Sequence, residues 1–269
     1  MNATLPPLVD THAHLCSPEF ARDLGDVLKR ARAAGVWAVI AVGETLADGE
    51  RNLDLSGKFP VVKPAAGLYP TVLDCDQAEK MHLFIRRHRA ELAAIGEVGL
   101  DHWVIKEEKD RDVQREIFKG FIRLSKEIDI PLNVHSRSAG RHAIALLLES
   151  GAARVQMHAF DGKASAELPA AEAGYFFSIP PSAMRSRQKQ NLVKQLPLRR
   201  VHPEAAEDIF PYRVERLLVP LRPRRFIGRH HLDDIEPLHH GACRRKGAGE
   251  QFHADHLAGH LRVDMRIVE

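Results

Sequence analysis

Cysteine is scarce in this chain. Its three residues, Cys16, Cys75 and Cys243, lie far apart with no C-x-x-C pair, which argues against both a disulfide framework and a zinc knuckle. Reduced thiols in the cell interior, cytoplasmic or nuclear, are the expectation. Long apolar runs are missing too, and Met1 to Pro7 shows no basic stretch leading into an apolar one, so neither a membrane span nor a leader is expected. Nor is there an excess of one charge. Lys and Arg number 39 against 36 Asp and Glu, for a net charge of +3; a nucleic-acid partner would need a local basic patch. What remains is a chain of 269 residues, 44% hydrophobic, ample for one large α/β domain.

Between Leu8 and Leu198, short β-like runs alternate with stretches of helical period. Strands are expected at Leu8–Asp10, Val36–Val42, Val61–Gly67, Ala94–Val98, Leu132–His135, Val155–His158 and Tyr175–Ile179. Apolar residues at helical spacing run from Phe20 to Ala31, Met81 to Leu92, Val113 to Ile128, Ala143 to Leu148 and Arg187 to Leu196. Such alternation indicates βαβ units and a parallel sheet. Seven units predict a TIM-type (β/α) barrel with its eighth strand missing; a doubly wound open sheet is the competing architecture.

The candidate chemistry lies at strand ends. The first strand closes Asp10–Thr11–His12–Ala13–His14, and residues two apart in a strand share a side, so both imidazoles can grip one ion. Glu97 ends the fourth strand between Gly96 and Gly99, which leave room at the mouth; His135 ends the fifth and His158 the sixth. Barrel active sites occupy this C-terminal face. One such position alone is weak, because a strand-end histidine is more often structural. Four in strand order predict a centre for one or two divalent ions, zinc, manganese or magnesium. A carboxylate between two histidine sets can bridge two ions that activate a water.

The segments His12–Ala13–His14, Gly96–Glu97–Val98–Gly99–Leu100–Asp101, Val134–His135–Ser136–Arg137 and His158–Ala159–Phe160–Asp161–Gly162 resemble the successive signatures of the TatD family of metal-dependent hydrolases and deoxyribonucleases. The runs 133–141 and 174–182 resemble its vertebrate branch especially, and the resemblance covers residues 8–198. It implies a TIM-type barrel and phosphodiester hydrolysis with DNA as substrate. It also implies that His12 and His14 bind the first metal, that Glu97 bridges as the catalytic carboxylate, and that His135 and His158 complete a second site. Arg137 and Lys163 are expected phosphate neighbours, on charge and position.

Two departures stand out. Where the family usually has a histidine, the turn after the third strand reads Gly67–Leu68–Tyr69–Pro70, and the eighth-strand Thr-Asp-Ser-Pro, whose aspartate the resemblance makes a ligand and base, occurs nowhere. After Leu198 the composition changes: eight of the sixteen histidines fall there, Lys246 is the only lysine, and prolines recur. Residues 199–269 are therefore expected to form an atypical His/Arg/Pro-rich segment of low order, set apart from a barrel domain of residues 1–198. A different exon or a shifted reading frame would account for it. Two other functions fit the same ligands: a metal-binding variant without catalysis, and an amidohydrolase-type enzyme acting on C–N bonds.

Overall fold

Eight parallel strands form one sheet in chain order, described by a computed structural model for residues 8–160, 162, 164–196 and 201–203. The strands are β1 (Leu8–Ala13), β2 (Val36–Ala41), β3 (Val62–Ala66), β4 (Ala94–Gly99), β5 (Leu132–His135), β6 (Val155–Met157), β7 (Phe176–Ile179) and β8 (Val201–Pro203). Between them run α1 (Leu24–Ala33), α2 (Leu46–Lys58), α3 (Cys75–Arg87), α4 (Glu108–Ile128), α5 (Gly140–Glu149), α6 (Ala164–Glu172) and α7 (Arg187–Gln195). Strand, helix, next strand in strict succession is the winding of a (β/α) barrel, not of a doubly wound sheet, whose strand order reverses part-way.

Side chains on the inner face show how far the sheet curls. Asn133 on β5 donates from Nδ2 to the Thr11 carbonyl on β1 at 2.8 Å, and Gln156 on β6 donates to the Thr11 hydroxyl at 2.5 Å. These strands are not neighbours in the sheet, so the interior is closed enough for opposite walls to touch. Thr11, Asn133, Gln156 and Ser178 make this interior polar, while the apolar core lies between strands and helices, around Ile95, Phe118, Phe121, Ile122, Leu132 and Val134.

Helix α4 follows the cleanest apolar stripe in the sequence, burying Phe118, Phe121, Ile122 and Leu124. Helix α2 has no counterpart among the sequence expectations. Its buried positions include Gly49 and Asn52, which carry no apolar signal, and its start is set by a capping box in which Thr45 and Asp48 satisfy each other's backbone N–H groups. Helix α6 likewise escapes the pattern, interrupted as it is by Pro169.

The seven expected units are all present. To them the structure adds β8, three residues paired with β7 through Phe177–Val201, Ser178–His202 and Ile179–Pro203. Its Val-His-Pro sequence, with one apolar residue and a proline, carries no strand signal, and among the described residues no pairing carries the sheet on from β8 to β1. Lys163, Cys243 and residues 204–269, most of the segment set apart by composition, lie outside the described residues. No helix among the described residues is long and apolar enough to cross a membrane.

Candidate metal centre

The mouth is assembled from the ends of β1, β2, β4, β5 and β6. Glu97 reaches it because β4 lies unusually close to β5. A Cβ on Gly96 would meet that of Asn133 at 2.7 Å, and one on Gly99, at φ +147°, would stand 2.0 Å from the His135 carbonyl oxygen. Only glycine fits at either place.

His12, His14 and Glu97 form one donor group, their ligand atoms all within 4.8 Å of one another. The two Nε2 atoms are 3.2 Å apart, and Glu97 Oε2 lies 3.8 Å from that of His12 and 3.5 Å from that of His14. These separations match the edges of a tetrahedron around an ion bound at about 2.0–2.2 Å. The tautomer fits as well. Asn133 spends its amide hydrogens on Thr11 and Gln156, so its Oδ1 faces His12 Nδ1 at 2.9 Å and accepts that N–H. The His12 Nε2 lone pair is left pointing at the centre. A lone pair aimed at a second imidazole nitrogen and a carboxylate requires a proton or a cation between them, and burial opposes the proton. Burial, with His158 alongside, pulls the His12 imidazole down to about 3. The residues present fit a divalent ion.

His135 and His158 border this group without belonging to it. His158 stacks on His12, ring centroids 3.3 Å apart and planes 8° from parallel. His135 donates from Nδ1 to the other Glu97 oxygen at 2.7 Å and from Nε2 to Asp101 at 3.1 Å. Burial pulls this imidazole down, yet the bonds to Asp101 and Glu97 outweigh it and raise it to about 9. Burial likewise pushes the Glu97 carboxyl up, but the neighbouring His12 and, above all on this geometry, the bond and charge of His135 hold it well below the carboxylate range. Glu97 is therefore an anion inside the barrel, 2% exposed.

The centre also uses residues that sequence reasoning passed over. Asn133 orients His12. Asp101 holds His135 with one oxygen and, with the other, accepts the backbone N–H groups of Trp103 and Val104, each at 2.8 Å. Glu44, after β2, stands 3.9 Å from His14 Nδ1 and is about one-third exposed. Asp101 lay within the Gly96–Asp101 signature, but nothing in the sequence pattern singled out Glu44 or Asn133. Tyr69 packs its ring 5.1 Å from that of His135, at the mouth itself. Arg137 is exposed on the loop after β5.

A family model described as TatD related DNase matches residues 9–206, well over half of the chain. The chain belongs to the TatD family. Human deoxyribonuclease TATDN3 is 44% identical over 213 residues, covering 74% of this chain and 77% of its own. The metal-dependent hydrolase YabD of Bacillus subtilis is 31% identical over 197 residues, 71% of this chain and 76% of its own. In solved structures the same fold occurs in YJJV, a TatD homolog from Escherichia coli k12, with a TM-score of 0.66 at 24% identity, covering 72% of this chain and 76% of that one. In this TatD chain the place after α7, where the resemblance puts Thr-Asp-Ser-Pro, is taken by Val201–His202–Pro203.

Proposed function

We propose that this chain is a metal-dependent hydrolase cutting phosphodiester bonds in DNA. The observation that carries the reading is the convergence of His12 Nε2, His14 Nε2 and Glu97 Oε2 at the barrel mouth. Family membership and the names of the relatives support it. His12, His14 and Glu97 would hold one divalent ion; a second, beside the other Glu97 oxygen and His158, would have to displace the proton that His135 donates to Glu97. Mixed nitrogen and carboxylate donors suit zinc or manganese better than magnesium. Such an ion supplies an acidic bound water and neutralises charge on a phosphate oxygen.

The chain's own residues do the rest. Asn133 keeps the His12 lone pair turned inward. Glu97, held ionised, offsets part of the charge of the bound ion and stays out of the proton traffic. With the family aspartate absent from the sequence, Glu44 is, among the described residues, a partly exposed carboxylate at the mouth able to accept a proton from the attacking water. Burial, more than any other influence, raises its pKa above the usual carboxylate value, in the direction of a base poised nearer neutral pH. Arg137 would meet phosphate oxygens with its guanidinium.

The test is DNA cleavage by the purified full chain with zinc or manganese, with and without chelator, alongside a small amide. Chelator-sensitive cleavage of DNA, with the amide untouched, is expected. Glu44→Gln should lower kcat by roughly a hundred- to ten-thousand-fold at unchanged metal content. The missing Thr-Asp-Ser-Pro favours one second reading, a metal-binding chain without catalysis, whose signature is bound metal with no cleavage of either substrate.

A further inference from the structure

A nucleic-acid partner requires a local basic patch on a chain of such balanced charge, and one stretch supplies it. Between Glu172 and Glu204 there is no acidic residue, whereas Arg185, Arg187, Lys189, Lys194, Arg199 and Arg200 are all basic. Elsewhere the two signs are interleaved. On α4, for instance, Arg111, Arg115 and Lys119 each pair with an acid of the same helix, Glu108, Asp112 or Glu116. Among the described residues no carboxylate pairs with Arg185, Arg187 or Lys189. Arg185 and Arg187 are exposed, and Lys189 Nζ donates to the Ser182 hydroxyl at 2.7 Å. Arg187 and Lys189 stand on the first turn of α7, where positive charge opposes the helix. Fold stability does not account for this charge.

The patch also lies on the right side of the barrel. It follows directly on β7, at the C-terminal face where the mouth opens. Gln188, within it, donates from Nε2 to the Gly162 carbonyl at 3.1 Å, and the loop that holds Gly162 begins at His158, which stacks on His12. That loop is tied to β7 as well: the Ala159 N–H donates to the Ser178 hydroxyl at 3.1 Å and the Phe160 N–H to the Ser178 carbonyl at 2.9 Å. One hydrogen-bonded path thus joins the metal centre to the three cations. We propose that Arg185, Arg187 and Lys189 form a track for the phosphate backbone of the DNA strand beyond the scissile bond, on the β7 side of the mouth. Exposed charge of one sign fits the repeated phosphates of a polyanion and reads no base. The proposal rests on the nuclease reading of the centre and makes its substrate a polynucleotide held by several phosphates, not a small phosphate ester. The three cations position the strand; none touches a reacting atom.

Binding of a fluorescein-labelled DNA strand of mixed sequence to the full chain, read by anisotropy in chelator over a series of salt concentrations, tests the track apart from cleavage. Arg185→Gln with Arg187→Gln and Lys189→Gln should weaken binding and lower the slope of log Kd against log salt by about two units, the share of three phosphate contacts. Arg185→Lys with Arg187→Lys keeps the charge and should keep most of the affinity. Lys29→Gln with Arg30→Gln and Arg32→Gln removes as much charge from α1, whose last turn lies at the opposite end of a (β/α) barrel, and should leave the slope unchanged. With metal restored, the loss in the first variant should fall on KM for DNA rather than on kcat. An unaltered slope in that variant would overturn the proposal, as would an equal fall in the α1 variant or a native chain that binds anionic lipid vesicles but no DNA. A native chain that binds DNA through these cations yet cuts none would sustain the track while sinking the nuclease reading.

Discussion

A histidine ligates through one ring nitrogen, so the other must be engaged in a way that keeps the ligating lone pair available. At His12 the engaging group is Asn133, itself locked by Thr11 and Gln156. Asn133→Ala should leave the fold in place and weaken divalent-metal binding by roughly 10–100-fold, measured by competition with a metal indicator. A different residue-scale test concerns Glu167, wholly buried, with neither oxygen hydrogen-bonded among the described residues. Burial raises its carboxyl from 4.5 to about 7. The unfolded chain therefore ionises first, and stability contributed below pH 4.5 is lost as pH climbs through about 7. Glu167→Gln should unfold like the native chain near pH 4.5 and be more stable by roughly 1–3 kcal/mol at pH 8, a difference that urea titrations at the two pH values would show. Equal pH slopes for the two chains would mean that the carboxylate is solvated.

At the scale of elements, the close approach of β4 to β5 sets Glu97 in place. Gly99→Ala forces a Cβ onto the His135 carbonyl at a positive φ, and should cost about 1–3 kcal/mol or more together with metal affinity. A thermal melt within a degree of native would contradict this. Strands that end in chemistry were legible because their runs are apolar and their last residues are not: β5 falls on Leu132–His135 as the pattern predicts, and α4 follows its stripe. Helices α2 and α6 were not legible, since α2 buries Gly49 and Asn52 and α6 contains Pro169. Strand β8 was not legible either, since Val201–His202–Pro203 offers one apolar residue followed by a histidine and a proline, which is poor strand material. In the site, spacing pointed to His12 and His14, which the structure brings together with Glu97, while Asn133 and Glu44 stayed hidden because an amide or acid acquires its meaning from what stands opposite across the barrel.

Across the described residues, the curl of the sheet lets the end of β1 supply two imidazoles to a carboxylate on β4, more than eighty residues away in sequence. The mouth is thereby a place where one buried anion faces converging nitrogen lone pairs, and a cation is the group that reconciles them. The most direct measurement is metal stoichiometry of the purified full chain by elemental analysis, against a chain carrying His12→Ala with His14→Ala. The account predicts one or two equivalents of zinc or manganese in the native protein and a sharp fall in the double variant, with both chains folded by circular dichroism. Unchanged stoichiometry in the double variant would contradict it.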